Sequence, residues 1–277
     1  MNKPLKDLFK EAEAVVVGAG AGLSTAAGFL YGGEKFLRYF PEMHLKYGYT
    51  DMYSAGFHDF RSEEEKWGYW SEFIYLNRYK EGAKPLYRTL VNLLKKKDYF
   101  VITTNVDHQF QLAGIDKTRL YYTQGDYGLF QCSRACHNKT YDNESEVLAM
   151  VAARENGRIP SELVPHCPVC GAVMETNLRK DGLFVQDEGW YAAEKRYEEF
   201  LSRVRGKRVL FWELGVGFNT PGIIKYPFMR MTHSFERAFY CVVNRGENYL
   251  PKEIAEKSLV MDRDLSMVIQ ELAEDEE

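Results

Sequence analysis

The sequence lacks any apolar run near the ~18 residues needed to cross a membrane, so neither a transmembrane helix nor a membrane partner is expected. Its first residues, Met-Asn-Lys-Pro-Leu-Lys-Asp-Leu, have no apolar signal-peptide centre, so a cytoplasmic location is the expectation. It lacks an excess of positive charge. The 36 Lys and Arg against 40 Asp and Glu leave a net charge of −4, which argues against a dedicated nucleic-acid binder. No internal repeat is present, which excludes a solenoid or propeller. Cysteine is scarce, with five in 277 residues. Without a secretion signal, Cys132, Cys136, Cys167, Cys170 and Cys241 read as thiols or metal ligands rather than disulfides.

What is present is ordinary in bulk and distinctive in one stretch. The length allows one large domain, or one large and one small. Residues 14 to 28, Ala-Val-Val-Val-Gly-Ala-Gly-Ala-Gly-Leu-Ser-Thr-Ala-Ala-Gly, read as a buried strand entering a glycine turn and then a helix. Gly18, Gly20 and Gly22 permit a tight turn and close approach of backbone to a ligand. Ser24 and Thr25 stand where the helix begins, and a helix start suits a pyrophosphate. The usual dinucleotide fingerprint has a third glycine three residues after the second. Leu23 stands there, so this is not an ordinary dehydrogenase turn.

Further strands are expected at Tyr99–Thr103, Leu120–Thr123, Leu183–Val185, Arg208–Leu214 and Arg237–Val243. Helices are expected around Leu5 to Ala12, over Lys84–Lys97, Trp190–Val204 and Leu265–Leu272, with a frayed acidic tail at Glu274–Glu277. Alternating strands and helices predict an α/β fold with a Rossmann-like, doubly wound parallel sheet. Phe29 to Tyr79 is rich in aromatics and has no β-branched run. It reads as a helical insertion whose rings form a satellite core, with a lid over the ligand as the alternative. The segment Thr103-Thr104-Asn105-Val106-Asp107-His108 ends a strand, where the crevice of an open α/β sheet lies. Asn105 and Asp107 are equally good turn or cap residues.

Cys132-x3-Cys136 and Cys167-x2-Cys170 form two close thiol pairs, which suit tetrahedral structural zinc in a small module. His137 and His166 are less favoured substitutes. The expected organisation is a dinucleotide domain of residues 1–127 and 181–277, with the insertion at about 30–82, and a zinc-ribbon-like module at 128–180.

Taken in order, Gly18 to Ser24 with Gly28, Thr103 to Asp107, the paired cysteines, and the late strand ends at Gly215 and Asn244 resemble the sirtuins. The sirtuins are NAD-consuming protein deacylases and ADP-ribosyltransferases. The resemblance spans nearly the whole chain, with informative departures. Phe29-Leu30-Tyr31 replaces the Pro-Asp-Phe-Arg that usually follows Gly28. Asp59-Phe60-Arg61 lies about thirty residues too late to be its equivalent and is read as coincidence. Gln124 stands where deacylating sirtuins carry the histidine base, and an amide does not exchange a proton near neutral pH. These departures are similar to the macrodomain-associated (class M) sirtuins.

That resemblance implies NAD consumed as co-substrate, structural zinc, and transfer of ADP-ribose to a protein acceptor. Lipoyl-carrier proteins are its suggested targets, with a partner macrodomain hydrolase that reverses the mark. Asn105, Asp107 and Gln124 carry the chemistry in this reading. Gly18, Ala19, Gly20, Ala21, Gly22, Ser24, Thr104, Asn105, Asp107, Gln124, Gly215, Val216, Gly217 and Asn244 contact NAD. The pyrophosphate lies over Gly18–Ser24, and Asp107 accepts from the nicotinamide amide. The rivals are an NAD-dependent deacylase with another base, for which His58 and His108 are weak candidates, and a non-catalytic NAD or ADP-ribose sensor.

Overall fold

The computed structural model describes residues 3–246 and 248–276. Among them are nine strands: β1 (Ala14–Ala19), β2 (Tyr99–Thr103), β3 (Leu120–Tyr122), β4 (Gly125–Cys132), β5 (Tyr141–Asp142), β6 (Met174–Leu178), β7 (Val209–Leu214), β8 (Phe239–Val243) and β9 (Ser258–Met261). The chain divides into two compact units. One runs to Gly28 and continues with Ala83–Gln124 and from Glu188 onward; the other is Phe29–Gly82 with Gly125–Asp187.

The first unit is a parallel six-stranded sheet in the order β3-β2-β1-β7-β8-β9. Chain order runs outward one way from β1 and the other way from β7. This is the doubly wound arrangement, and its ligand crevice opens where the direction reverses. The strands are apolar because both faces are covered. On one face Val15, Val17, Trp212, Leu214 and Val243 pack with helices Leu5–Glu11, Pro85–Leu94 and Leu265–Asp275. Cys241 is fully buried there, and burial pushes its thiol pKa up. On the other face Phe100 meets Tyr197 and Phe200 of helix Glu188–Val204, with ring centroids 5.4 and 5.5 Å apart. Phe211 meets Phe228 of helix Lys225–Ser234 at 5.1 Å. Burying one such side chain contributes roughly 1.5–3 kcal/mol.

The second unit joins an antiparallel sheet, β5-β4-β6, to helices that include Glu63–Ile74 and Glu144–Ala153. Its core is aromatic: Phe40 lies 4.9 Å from Tyr69, and Trp67 lies 4.9 Å from Phe130. Phe36, Phe40, Trp67 and Tyr69 are buried, whereas Tyr53 and Phe57 are exposed.

Two expectations need correction. Leu183–Val185 is a turn and irregular chain, not a strand. Two buried side-chain amides hold it instead: Val185 N–H donates to Gln131 Oε1 at 2.9 Å, and Asn177 Nδ2 donates to Val185 O at 3.0 Å. The acidic tail is not frayed from Glu274. The last helix runs Leu265–Asp275, and Asp264 caps its start by accepting from Ser266 N–H. Glu277 lies outside the described residues.

In the second unit, a Cβ at Gly68 would lie 2.1 Å from the Gly157 carbonyl oxygen. Gly68→Ala is therefore expected to lower the thermal midpoint, with a loss of about 1–3 kcal/mol from overpacking, measured by calorimetric unfolding.

Candidate active site

The C-terminal edge of the parallel sheet has a regular rim. The residue after each of five strands donates its N–H to the last residue of a neighbouring strand. Thr123 donates to Thr103 at 2.9 Å, Thr104 to Ala19 at 3.1 Å, and Gly20 to Leu214 at 3.0 Å. Gly215 donates to Val243 at 3.0 Å, and Asn244 to Met261 at 3.2 Å. Thr104, Gly20, Gly215 and Asn244 therefore stand at one level along the crevice edge. Beyond them lie Gly217, which is exposed, and Val216, which is 3% exposed.

The two glycine turns meet backbone to backbone. Gly22 N–H donates to Gly215 O at 2.9 Å. A Cβ on Gly20 would come within 2.7 Å of Gly215 O, and one on Gly22 within 2.7 Å of Gly215 Cα. Gly215 itself has φ +62°. A Cβ on Gly18 would strike Ile224 at 2.3 Å and the Phe228 ring at 2.7 Å. Each glycine thus answers to a neighbour in the protein, and together they bring two turns into contact at the switch point. Gly20 also starts helix Ala21–Ala26, whose first-turn N–H groups and dipole lie on the same rim.

Behind the turns is a buried hydrogen-bond chain. Asn105 Nδ2 donates to Gly20 O at 3.0 Å and to Tyr87 Oη at 3.1 Å. Ser24 Oγ is 3.1 Å from Tyr87 Oη and donates to Asp107 Oδ2 at 2.5 Å. Asp107 Oδ1 accepts from Gln109 N–H at 3.0 Å. An amide nitrogen only donates and a carboxylate only accepts, so Asn105 is the donor end and Asp107, which accepts from Ser24 Oγ and at 3.4 Å from Tyr87 Oη, is the acceptor end. Asp107 is 3% exposed. It holds the network together and also forms the turn expected of a capping residue.

Tyr87 is not among the expected site residues; it lies in helix Pro85–Leu94 with Leu86, Leu90, Leu93 and Leu94. Its place beside four leucines offered no signal that its hydroxyl would be needed. His108, next to Asp107, has φ +62°, a conformation that non-glycine residues seldom adopt. Gln124 follows Thr123 and is partly exposed at the end of β3. Thr123 O accepts from Trp190 Nε1 at 3.3 Å.

No family model matches the chain. It is 39% identical over 266 residues, 96% of its length and 84% of the relative's, to a Staphylococcus aureus protein named protein ADP-ribosyltransferase. It is 36% identical over 234 residues to a Fusarium oxysporum protein named probable bifunctional ADP-ribose hydrolase/ADP-ribosyltransferase, of which it spans 38%. In fold it matches a sirtuin solved to explain substrate affinity, with TM-score 0.62, 19% identity and 99% of each chain covered. It also matches a Sir2 mutant with a p53 peptide and NAD, with TM-score 0.61, 20% identity, and 98% and 97% covered. The chain belongs to the protein ADP-ribosyltransferases, on a sirtuin-like fold.

The four cysteines lie in the other unit. Their Sγ atoms all fall within 4.8 Å of one another, with Cys132 to Cys170 at 3.5 Å and Cys136 to Cys167 at 3.7 Å. Tetrahedral zinc with ~2.3 Å bonds sets its sulfurs about 3.8 Å apart, so the cluster fits a structural zinc ion. His137 Nδ1 lies 3.0 Å from Cys136 Sγ, and its Nε2 lies 2.8 Å from Tyr141 Oη. His166 Nδ1 is 2.8 Å from Val164 O.

The same unit holds a cavity of about 620 Å³. Asp59 and Phe60 line it with Phe57 and Trp70. His58 lines it too, with its ring 4.0 Å from that of Tyr47. In the parallel-sheet unit, Glu213 and Lys225 form a fully buried ion pair, and Tyr240 donates to Glu213 Oε2. Burial pushes the Glu213 carboxyl above its ordinary value, against the pull of Lys225 and Tyr240.

Two outcomes follow. Cys167→Ser is expected to lose bound zinc and to unfold at lower temperature, read by elemental analysis and calorimetry, because structural zinc contributes directly to folding. Tyr87→Phe leaves Asn105 and Ser24 without their shared partner. It is expected to cost ~1–3 kcal/mol in denaturant unfolding while keeping the fold.

Proposed function

We propose that this sirtuin is an NAD-dependent protein ADP-ribosyltransferase whose parallel-sheet unit holds NAD along the rim from Thr104 to Asn244. NAD supplies a glycosidic bond whose cleavage releases nicotinamide and leaves ADP-ribose for a nucleophile on the acceptor. Gly18 to Ser24 hold the pyrophosphate at the switch point, with Ala19 and Ala21 contributing backbone. Gly215, Val216, Gly217 and Asn244 take the adenosine half.

Asn105 has both amide hydrogens engaged by Gly20 O and Tyr87 Oη, which orients its side-chain oxygen toward a ribose hydroxyl or a water. Asp107 lies at the end of the polarised chain. Its negative charge favours the positive charge that builds on the ribose as the bond opens. This supports it as a fixed electrostatic partner, and its turn-forming contact with Gln109 keeps it in place. Gln124 hydrogen-bonds ribose hydroxyls and does not deprotonate them.

The observation that carries this reading is Gln124 in a chain so similar to a named protein ADP-ribosyltransferase. A histidine base is what acyl removal needs at that position, and a glutamine there leaves bond cleavage and transfer. The Fusarium relative, whose name joins ADP-ribose hydrolase with transferase, supports a partner macrodomain that reverses the mark. A lipoyl-carrier protein is the proposed acceptor, in a cytoplasmic setting.

Incubation with NAD and a lipoylated carrier protein is expected to release nicotinamide and add the mass of one ADP-ribose to the carrier. Asn105→Ala is expected to abolish both while binding zinc normally. Steady release of deacylated peptide from an acylated one would favour the deacylase. NAD binding without nicotinamide release would favour a sensor.

A further inference from the structure

The ion pair of Glu213 and Lys225 is an unusual thing to find in this core. Glu213 interrupts an otherwise apolar central strand, Val-Leu-Phe-Trp-Glu-Leu, and is 0% exposed. Lys225 is also 0% exposed and opens helix Lys225–Ser234. A cation at a helix N-terminus opposes the helix dipole. Taking both charges out of water costs several kcal/mol per ion, and apolar replacements of such pairs are often as stable or more so. Stability alone would not favour this pair.

Its position explains it better. Glu213 stands two residues before Gly215, the αL glycine whose carbonyl receives Gly22 N–H. On β1 its register partner is Gly18. Lys225 follows Ile224, and Ile224 and Phe228 are the side chains that crowd Gly18. Lys225 Nζ also lies 4.9 Å from the centre of the Phe218 ring, on the loop between the turn and the helix. Tyr240 Oη fixes the second carboxylate oxygen from β8. The pair therefore ties both ends of the Gly215–Ile224 loop to the central strands, directly under the two glycine turns.

We propose that Glu213 and Lys225 are positioning residues for dinucleotide binding. They hold the second glycine turn in register against the first and set NAD affinity rather than fold stability. This rests on the NAD site assigned above.

The test is the apolar pair Glu213→Leu with Lys225→Met, in the full-length protein. It is expected to melt at or above the wild-type temperature. Its Kd and KM for NAD should rise about tenfold or more, equal to ~1.4 kcal/mol. Turnover at saturating NAD should stay within about threefold of wild type, because Asn105, Asp107 and Gln124, which follow β2 and β3, are untouched. Tyr240→Phe keeps the pair and the ring, and serves if the double variant does not fold. It is expected to weaken NAD binding about threefold, equal to ~0.65 kcal/mol. Calorimetric titration with NAD reads affinity independently of transfer. Wild-type affinity in the folded double variant, or in Tyr240→Phe if only that variant folds, would overturn the proposal and leave the NAD site standing. No NAD binding by the wild-type protein would instead overturn the site assignment beneath it.

Discussion

The site depends on one contact: the carbonyl of Gly215 receiving the N–H of Gly22, with no side chain on either turn to keep them apart. In a doubly wound sheet the strands on either side of the switch point send their chains away in opposite directions, and a crevice opens between them. Here the turns that leave β1 and β7 close back on each other at its base. A side chain at Gly20, Gly22 or Gly215 would hold them apart by its own width. From the sequence, Gly18, Gly20 and Gly22 are expected to permit a tight turn and a close approach of backbone to a ligand; in the fold, Gly20, Gly22 and Gly215 meet one another. Their nearest neighbours are each other, and room for a ligand follows from how closely the turns meet.

From that contact the rest can be followed outward. The rim hydrogen bonds of Thr123, Thr104, Gly20, Gly215 and Asn244 carry the sheet's ladder one residue past each strand. Residues scattered over more than two hundred positions of sequence therefore share one edge. The chain Asn105–Tyr87–Ser24–Asp107 then joins the turn after β1 to the turn after β2 through a helix neither belongs to. The network has a fixed donor end at Asn105 and a fixed acceptor end at Asp107, and an electrostatic site has to be set before the substrate arrives. Gln124 at the end of β3 fits that picture as a group that holds and does not titrate.

Much of this was legible from sequence because period and composition were unambiguous. Tyr99–Thr103 was found at its true ends, since five uncharged residues bounded by Asp98 and Thr104 leave little choice. The paired cysteines announced a tetrahedral cluster because thiolate spacing is a direct geometric constraint. Asn105 and Asp107 stood out by ending a buried strand. Illegible were the features that exist only through distant partners. Met174–Leu178 is too polar to read as a strand, because Thr176 and Asn177 are buried with hydrogen-bonding or sheet partners far along the chain. Ser258–Met261 is a short edge strand paired with β8. Nothing in its own segment marks the Tyr87 hydroxyl as needed, and nothing near Lys225 marks that lysine as buried. Burial and charge pairing decide such residues, and no window of sequence contains both members.

The most direct test of the account is a crystal structure of the protein with NAD bound. The pyrophosphate is expected over Gly18–Ser24, the adenosine half along Gly215 to Asn244, and the nicotinamide ribose beside Asn105 and Gln124. A dinucleotide bound elsewhere, with the two glycine turns unoccupied, would contradict it.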